Sequence, residues 1–139
     1  MKKWTKNSLE AAGYKIENAR ITNVSLNMED HGVLTSGLTL DGGGWGACYG
    51  GYVLGKGYLG AKKFEGSAAG MESIMRIMDV VGCSEFTHMK NMYIRVASKG
   101  WGSSIKIIGN IIKDQWFDYE SFFDDMEKDT YDDKGTEVD

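Results

Sequence analysis

Between Asp41 and Gly60, nine of twenty residues are glycine, and Trp45, Tyr49, Tyr52 and Tyr58 stand among them. Flat aromatic faces stack on bases, and glycine-rich backbone leaves N–H groups open to phosphate oxygens. Lys56 would add a cation, so Trp45, Tyr49 and Lys56 are candidates for a nucleotide-type ligand. The same composition has a plainer reading. Glycine lets one backbone approach another closely and weakens the strand that carries it, so the segment equally fits tight turns packed by aromatic rings.

Two further segments carry similar alternatives. Ser67 precedes a helical pattern as an N-cap, with Gly66 and Gly70 beside it. The unpaired N–H groups of a helix start attract anions. Met71 and Met75 on that helix can press against a purine, although methionines at helical spacing are ordinarily core. In GNIIKDQWFD, Lys113 can meet a phosphate, while Asn110 and Asp114 can read a base or ribose edge. Solvated polar residues at a strand end are the simpler account.

Catalytic and metal chemistry find little purchase. There is no GxxxxGK[ST] loop, no GxGxxG between a strand and a helix, and no nucleophile elbow. Cys48 and Cys83 lack a neighbouring histidine and read as small buried residues of a reducing environment. His31 and His88 are isolated, without zinc-site spacing. His31 beside Glu29 and Asp30 is the one local acid–base suggestion, and a turn histidine explains it more simply. No metal and no cofactor is expected.

The elements that must position these residues follow from periodicity. Residues 1–13 read as a short amphipathic helix or a frayed end. Tyr14–Met28 alternates as a strand with Val24, Leu26 and Met28 on one face. Ile21 is out of step with them, which predicts a bulge near Arg20–Thr22. Glu29–Gly32 is a turn with Gly32 at positive φ. A second strand, Val33–Leu40, points Leu34, Leu38 and Leu40 inward. Asp41–Gly44 turns into a third strand, Trp45–Leu54, with Trp45, Ala47, Tyr49, Gly51 and Val53 on one face. The helix opened by Ser67 buries Met71, Ile74, Met75, Met78 and Val81 and ends at Gly82. Met92–Ala97 and Ser104–Ile112 are strands. The turn between them, Ser98–Gly102, is a second glycine–aromatic cluster around Trp101. Tyr119, Phe122, Phe123 and Met126 line one face of a last helix, with Ser121 and Asp124 as a capping box. That face packs on its own sheet or on another protomer.

The prediction is therefore an α+β domain, β-β-β-α-β-β-α, with a mostly antiparallel sheet and helices packed on one face. Residues 1–128 form the single domain and 129–139 a disordered acidic tail. The 139 residues are 42% hydrophobic, which suffices for a core. No apolar run approaches a membrane span of about 18 residues. The net charge of −4 hides an asymmetry. Asp118–Asp139 carries ten acidic and two basic residues, or −8, which leaves the first 117 residues at +4. Such a body can hold a small anion but lacks the dense basic stripe of a duplex-binding protein.

Four strings, KIENARITNVSLNMEDHG, GGYVLGKGYLG, FEGSAAGMESIMRIMDVVG and GNIIKDQWFD, together resemble a family of small proteins from phages and prophages of Gram-positive bacteria, the Thoeris anti-defence sponges. The resemblance spans residues 14–118. It implies a non-enzymatic protein in the cytoplasm of an infected bacterial host. Such a protein binds the cyclic ADP-ribose isomer made there as an alarm signal and keeps the Thoeris effector silent. It also implies a homodimer or higher homo-oligomer, and in relatives the capture of cyclic oligonucleotides at separate sites. Competition with a receptor needs nanomolar affinity, about −12 kcal/mol. A domain of this size would build so deep a pocket between protomers. Two other readings compete: inhibition of a host protein by surface contact, with the acidic tail imitating nucleic acid, and a nucleotide-cleaving enzyme using His31 and Asp30.

Overall fold

A computed structural model describes residues 1–57, 63–100 and 102–127. Tyr58, Trp101 and the acidic tail lie outside the described residues. In chain order the elements are α1 (Lys6–Ala11), β1 (Lys15–Asp30), β2 (Val33–Asp41), β3 (Gly46–Lys56), β4 (Glu65–Gly66), α2 (Ala68–Val81), a 3-10 turn (Phe86–Met89), β5 (Tyr93–Ser98), β6 (Ile107–Gly109), β7 (Trp116–Asp118) and α3 (residues 119–127). The class is α+β. All seven strands join one antiparallel sheet in the order β4-β3-β2-β1-β5-β6-β7, curled into a half-barrel.

The long strand β1 organises this sheet because it changes partner partway. Its first part, Lys15–Arg20, pairs with β5, from Lys15 opposite Ser98 to Arg20 opposite Tyr93. From Arg20 to Asp30 it pairs with β2. The change falls at the bulge expected from sequence, where the register skips Thr22 between Ile21 and Asn23. A bulge adds local twist, which bends the two halves of the sheet toward each other. The β1–β2 turn has His31 at φ 53° and Gly32 at φ 75°. Two successive left-handed residues are what a two-residue hairpin requires.

The curl brings distant strands together across the inner face. Tyr49 of β3 is fully buried, and its hydroxyl donates to the carbonyl of Lys106 or Phe117, each 3.4 Å away. Strands β3 and β7 are thus tied across the bowl. Ala19, Ile21, Leu38, Leu40, Ile94, Val96, Ile108 and Phe117 fill it from the sheet; Ile77, Val80 and Val81 of α2 and Phe122 of α3 close it. Each of the larger of these side chains contributes about 1.5–3 kcal/mol by leaving water. Phe123 of α3 stacks flat on Tyr52 at 3.9 Å between centroids. The aromatic stripe of α3 therefore packs on its own sheet. The helix is capped one turn earlier than the sequence suggested: Asp118 Oδ1 accepts from the Ser121 N–H at 3.1 Å, and its Oδ2 accepts from Trp4 Nε1. The small helix α1 lies on the opposite, outer face, where Leu9 meets Ala97 and Ile107. That cluster has three buried members against fifteen inside, so α1 is the weakly held part of the domain.

Further sequence expectations change. The strand expected at Ser104–Ile112 is confined to Ile107–Gly109, and a further strand, β7, follows it. On β3 the alternation breaks at Gly50 and Gly51, both at positive φ, so Leu54 turns inward and Val53 outward. On α2 the buried residues are Gly70, Ser73, Ile77, Val80 and Val81, while Met71 and Met75 are exposed. Gly70 explains this rotation. A Cβ there would sit 2.4 Å from the Val53 carbonyl oxygen and 2.8 Å from Leu54 Cα, so the helix leans on β3 through its smallest side chains.

Candidate functional site

The Trp45 turn and the glycines at 100 and 102, far apart in sequence, meet at one end of the half-barrel. Strand β2 stops at Asp41, opposite Arg20, whereas β1 continues back to Lys15 along β5. The gap beside the first residues of β1 is a cleft of about 570 Å³. One wall is Trp45, Gly46 and Ala47; the other includes Ser98, Gly100 and Gly102–Ile105; Glu17 lies in the floor between them, with the largely exposed Lys15 beside it. This volume lies within the range of small-molecule sites, about 300–1,000 Å³.

Trp45 owes its position to Gly42. A Cβ on Gly42 would fall 1.9 Å from the indole ring, so the ring lies against bare backbone. The turn beneath it is held by the Gly42 N–H donating to the Trp45 carbonyl at 2.9 Å and by Asp41 Oδ1 accepting from the Gly43 N–H at 2.8 Å. Lys15 and Glu17 share the inward register of β1 with Ala19 and Ile21, and Lys15 Nζ stands 3.0 Å from Glu17 Oε1. That bond from Lys15 holds the Glu17 carboxyl below the usual range against the opposing effect of partial burial, and the Trp45 indole adds to it. The Trp45 Nε1–H is buried with no acceptor in hydrogen-bond geometry, yet lies near enough to Glu17 to favour the carboxylate. The described lining thus offers an indole, an ion pair, several serine hydroxyls and apolar surface from Ala47 and Ile105, with no histidine or cysteine.

Of the described residues singled out from sequence as ligand contacts, the structure brings only Trp45 to this cleft. Tyr49 is a buried strut between β3 and β7 rather than a stacking platform. Lys56 is exposed at the far end of β3, opposite Val33 and Glu65. Ser67 caps α2 as expected, its Oγ accepting from the Gly70 N–H at 3.0 Å, and its own N–H donates to the Leu54 carbonyl. Met71 and Met75 face outward from α2, away from any described cleft. Asn110 is an internal brace: Oδ1 accepts from the Ile112 and Lys113 N–H groups, while Nδ2 donates to the Val80 carbonyl at 3.0 Å. The Lys113 carbonyl accepts from Arg95 Nη2. Asp114 pins the start of α1, accepting from the Lys6 N–H at 2.7 Å and from Trp116 Nε1 at 2.6 Å, and these two donors hold its pKa down.

Sequence reasoning missed Lys15, Glu17 and Ser104. A usable signal existed for the first two. They occupy inward positions two residues apart on a strand whose next inward positions are Ala19 and Ile21, and charges in an apolar register mark an opening.

A second cleft, of about 410 Å³, lies by the N-terminus, where several of the polar groups are already paired. Lys106 pairs with Glu120, the Met1 amino group with Asp125, and Trp4 with Asp118. The histidines lie outside both clefts: His31 sits at the β1–β2 tip, and His88 Nε2 meets Glu85 Oε2 at 2.7 Å on the surface. Among the described residues no three histidine, cysteine, aspartate or glutamate side chains gather as a metal site would need, and no helix is long and apolar enough to cross a membrane. In comparisons with family models, curated proteins and solved structures, nothing matches this chain.

Proposed function

We propose that this chain is a non-catalytic binding protein that captures a small nucleotide signal, a cyclic ADP-ribose isomer, and holds it uncleaved, as the Thoeris anti-defence sponges it resembles do. The observation that carries this reading is the cleft between Trp45 and the glycine-containing segment from Ser98 to Ile105. It has the volume of a nucleotide site, an indole on one wall, and no histidine or cysteine in its described lining. The cleft is open along the β1 edge that β2 leaves uncovered, and a second copy of the chain would close it. This supports a homodimer or higher homo-oligomer as the working form in the infected host's cytoplasm, with room for cyclic oligonucleotides at another junction of the assembly.

Calorimetric titration with the cyclic ADP-ribose isomer tests the proposal. A nanomolar Kd that Trp45→Ala weakens at least tenfold is the expected result. Absence of heat at micromolar protein would exclude it. A second reading, inhibition of a host protein by contact, draws on Phe64, Met71 and Met75, which are all more than half exposed. That reading requires Met71→Lys with Met75→Lys to abolish inhibition, whereas a sponge tolerates the pair.

A further inference from the structure

We infer that the Lys15–Glu17 pair in the cleft recognises a neutral pair of adjacent hydroxyls, the cis-diol of a ribose, and leaves the phosphates of a nucleotide at the mouth. This deepens the sponge reading and rests on it for the identity of the ligand, though not for the chemistry of the cleft.

The chemistry is one of elimination. Glu17 stands in the floor as a carboxylate, so an anion placed there is repelled. Lys15, largely exposed, already neutralises it at 3.0 Å, so a further cation gains little there. What remains is a neutral group rich in donors. A carboxylate offers two acceptor oxygens side by side, and two vicinal hydroxyls offer two donors at matching spacing. Carboxylates read ribose hydroxyls in this way in dinucleotide-binding folds. Lys15 Nζ can donate to a hydroxyl oxygen in return.

The surroundings fit a sugar with a flat group attached. Ser98 and Ser104 bring hydroxyls to the opposite wall, and Ala47 and Ile105 supply apolar surface. After Lys15, the nearby Trp45 Nε1–H adds to the lowering of the Glu17 pKa, and that N–H is buried with no acceptor in hydrogen-bond geometry. Trp45 is thus a positioning residue for the carboxylate, and Glu17 is the contact that sets specificity. The described lining holds no guanidinium, and its one ammonium is already paired, so nothing in it is built to bind pyrophosphate directly.

The experiment is a titration of the full chain with adenosine, 2′-deoxyadenosine and 3′-deoxyadenosine, followed by the indole N–H resonances. The chain has four tryptophans, and Trp45→Phe assigns the relevant peak. Adenosine should shift the Trp45 peak saturably, and each deoxynucleoside should bind about tenfold more weakly, the worth of one hydrogen bond to a charged group. In Glu17→Gln the three affinities should converge while the other indole peaks stay in place. Equal affinities in the native chain, or a discrimination that Glu17→Gln leaves intact, would overturn the inference. If Glu17→Gln does not fold, the native chain's three affinities decide alone. The two readings fail separately. Retention of the cyclic ADP-ribose isomer with an unmoved Trp45 peak would reject the diol site and keep the sponge. Diol-selective binding with no retention of that isomer would do the reverse.

Discussion

Replacing Gly70 by alanine separates helix propensity from packing, and the two predict opposite signs. In a helix interior alanine is favoured over glycine by about 0.8–1.0 kcal/mol. Here the new methyl carbon would lie 2.4 Å from the Val53 carbonyl oxygen and 2.8 Å from Leu54 Cα. Both are backbone atoms of β3, so no side chain can turn aside, and α2 must move away. Overpacking of this kind costs about 1–3 kcal/mol. The shift also strains the Ser67 N–H to Leu54 carbonyl bond, 2.8 Å long, at a further cost of about 1 kcal/mol. The net expectation is a loss of about 2 kcal/mol, which lowers Tm by roughly 6–8 °C in a domain of this size. Gly66→Ala is the control, because a Cβ there meets nothing within 4 Å. It should change stability by less than about 0.5 kcal/mol. Thermal and urea unfolding of both variants provide the readout. A Gly70→Ala protein as stable as the native chain, or more so, would refute the close approach of α2 to β3 and with it the account of why Met71 and Met75 face outward.

Tyr49→Phe removes the hydroxyl that ties β3 to β7 and should cost about 1 kcal/mol, measurable by urea unfolding. Burial first, then the nearby Tyr119 and Asp118, push the Tyr49 pKa well above 10.0, and mainly burial pushes Tyr52 to about 12. Both contributions are complete below pH 10 and disappear as pH rises through the folded values, so Tyr49→Phe should blunt alkaline unfolding above that pH. Asp114→Ala frees the start of α1, and amide exchange at Leu9 and Ala12 should quicken about tenfold at neutral pH. Because the Asp114 pKa is depressed from 3.8, its contribution is present above that value, and α1 should fray in the native chain as pH falls below it. Met75→Lys should leave both stability, within about 0.5 kcal/mol, and nucleotide affinity unchanged, which calorimetry and thermal unfolding can check.

The parts of this fold that are legible in the sequence are those set by local rules. Ile21 falling out of step with Val24 announces the bulge at Thr22. Asp30-His31-Gly32 announces the hairpin turn. Ser67 and Gly82 bound α2 to the residue. What stays hidden depends on who approaches whom. The apolar periodicity of α2 points to its methionines, and only the nearness of β3 reveals that Gly70 and Ser73 face inward. Strand β7 has three residues and follows an Asn110 turn that looks, in sequence, like the frayed end of β6. The cleft is hidden for the same reason. Trp45 is conspicuous among its glycines, but the opposition of Lys15 to Ser98, which brings the second glycine cluster beside it, follows from β1 changing partner at its bulge. The glycines at 42 and 50 fit the packing reading, since Gly42 carries an indole and Gly50 admits the Ser36 carbonyl, and Gly46 of the same stretch lines the cleft.

Sequestration without cleavage is the central claim, and one measurement addresses it directly. The purified chain is mixed with a substoichiometric amount of the cyclic ADP-ribose isomer, filtered to remove free ligand, then heat-denatured, and the released nucleotide is identified by mass spectrometry. The account predicts that free ligand is depleted before heating and that the intact cyclic nucleotide is recovered in full after it. Undiminished free ligand before heating, or a linear or cleaved product after it, would contradict the account.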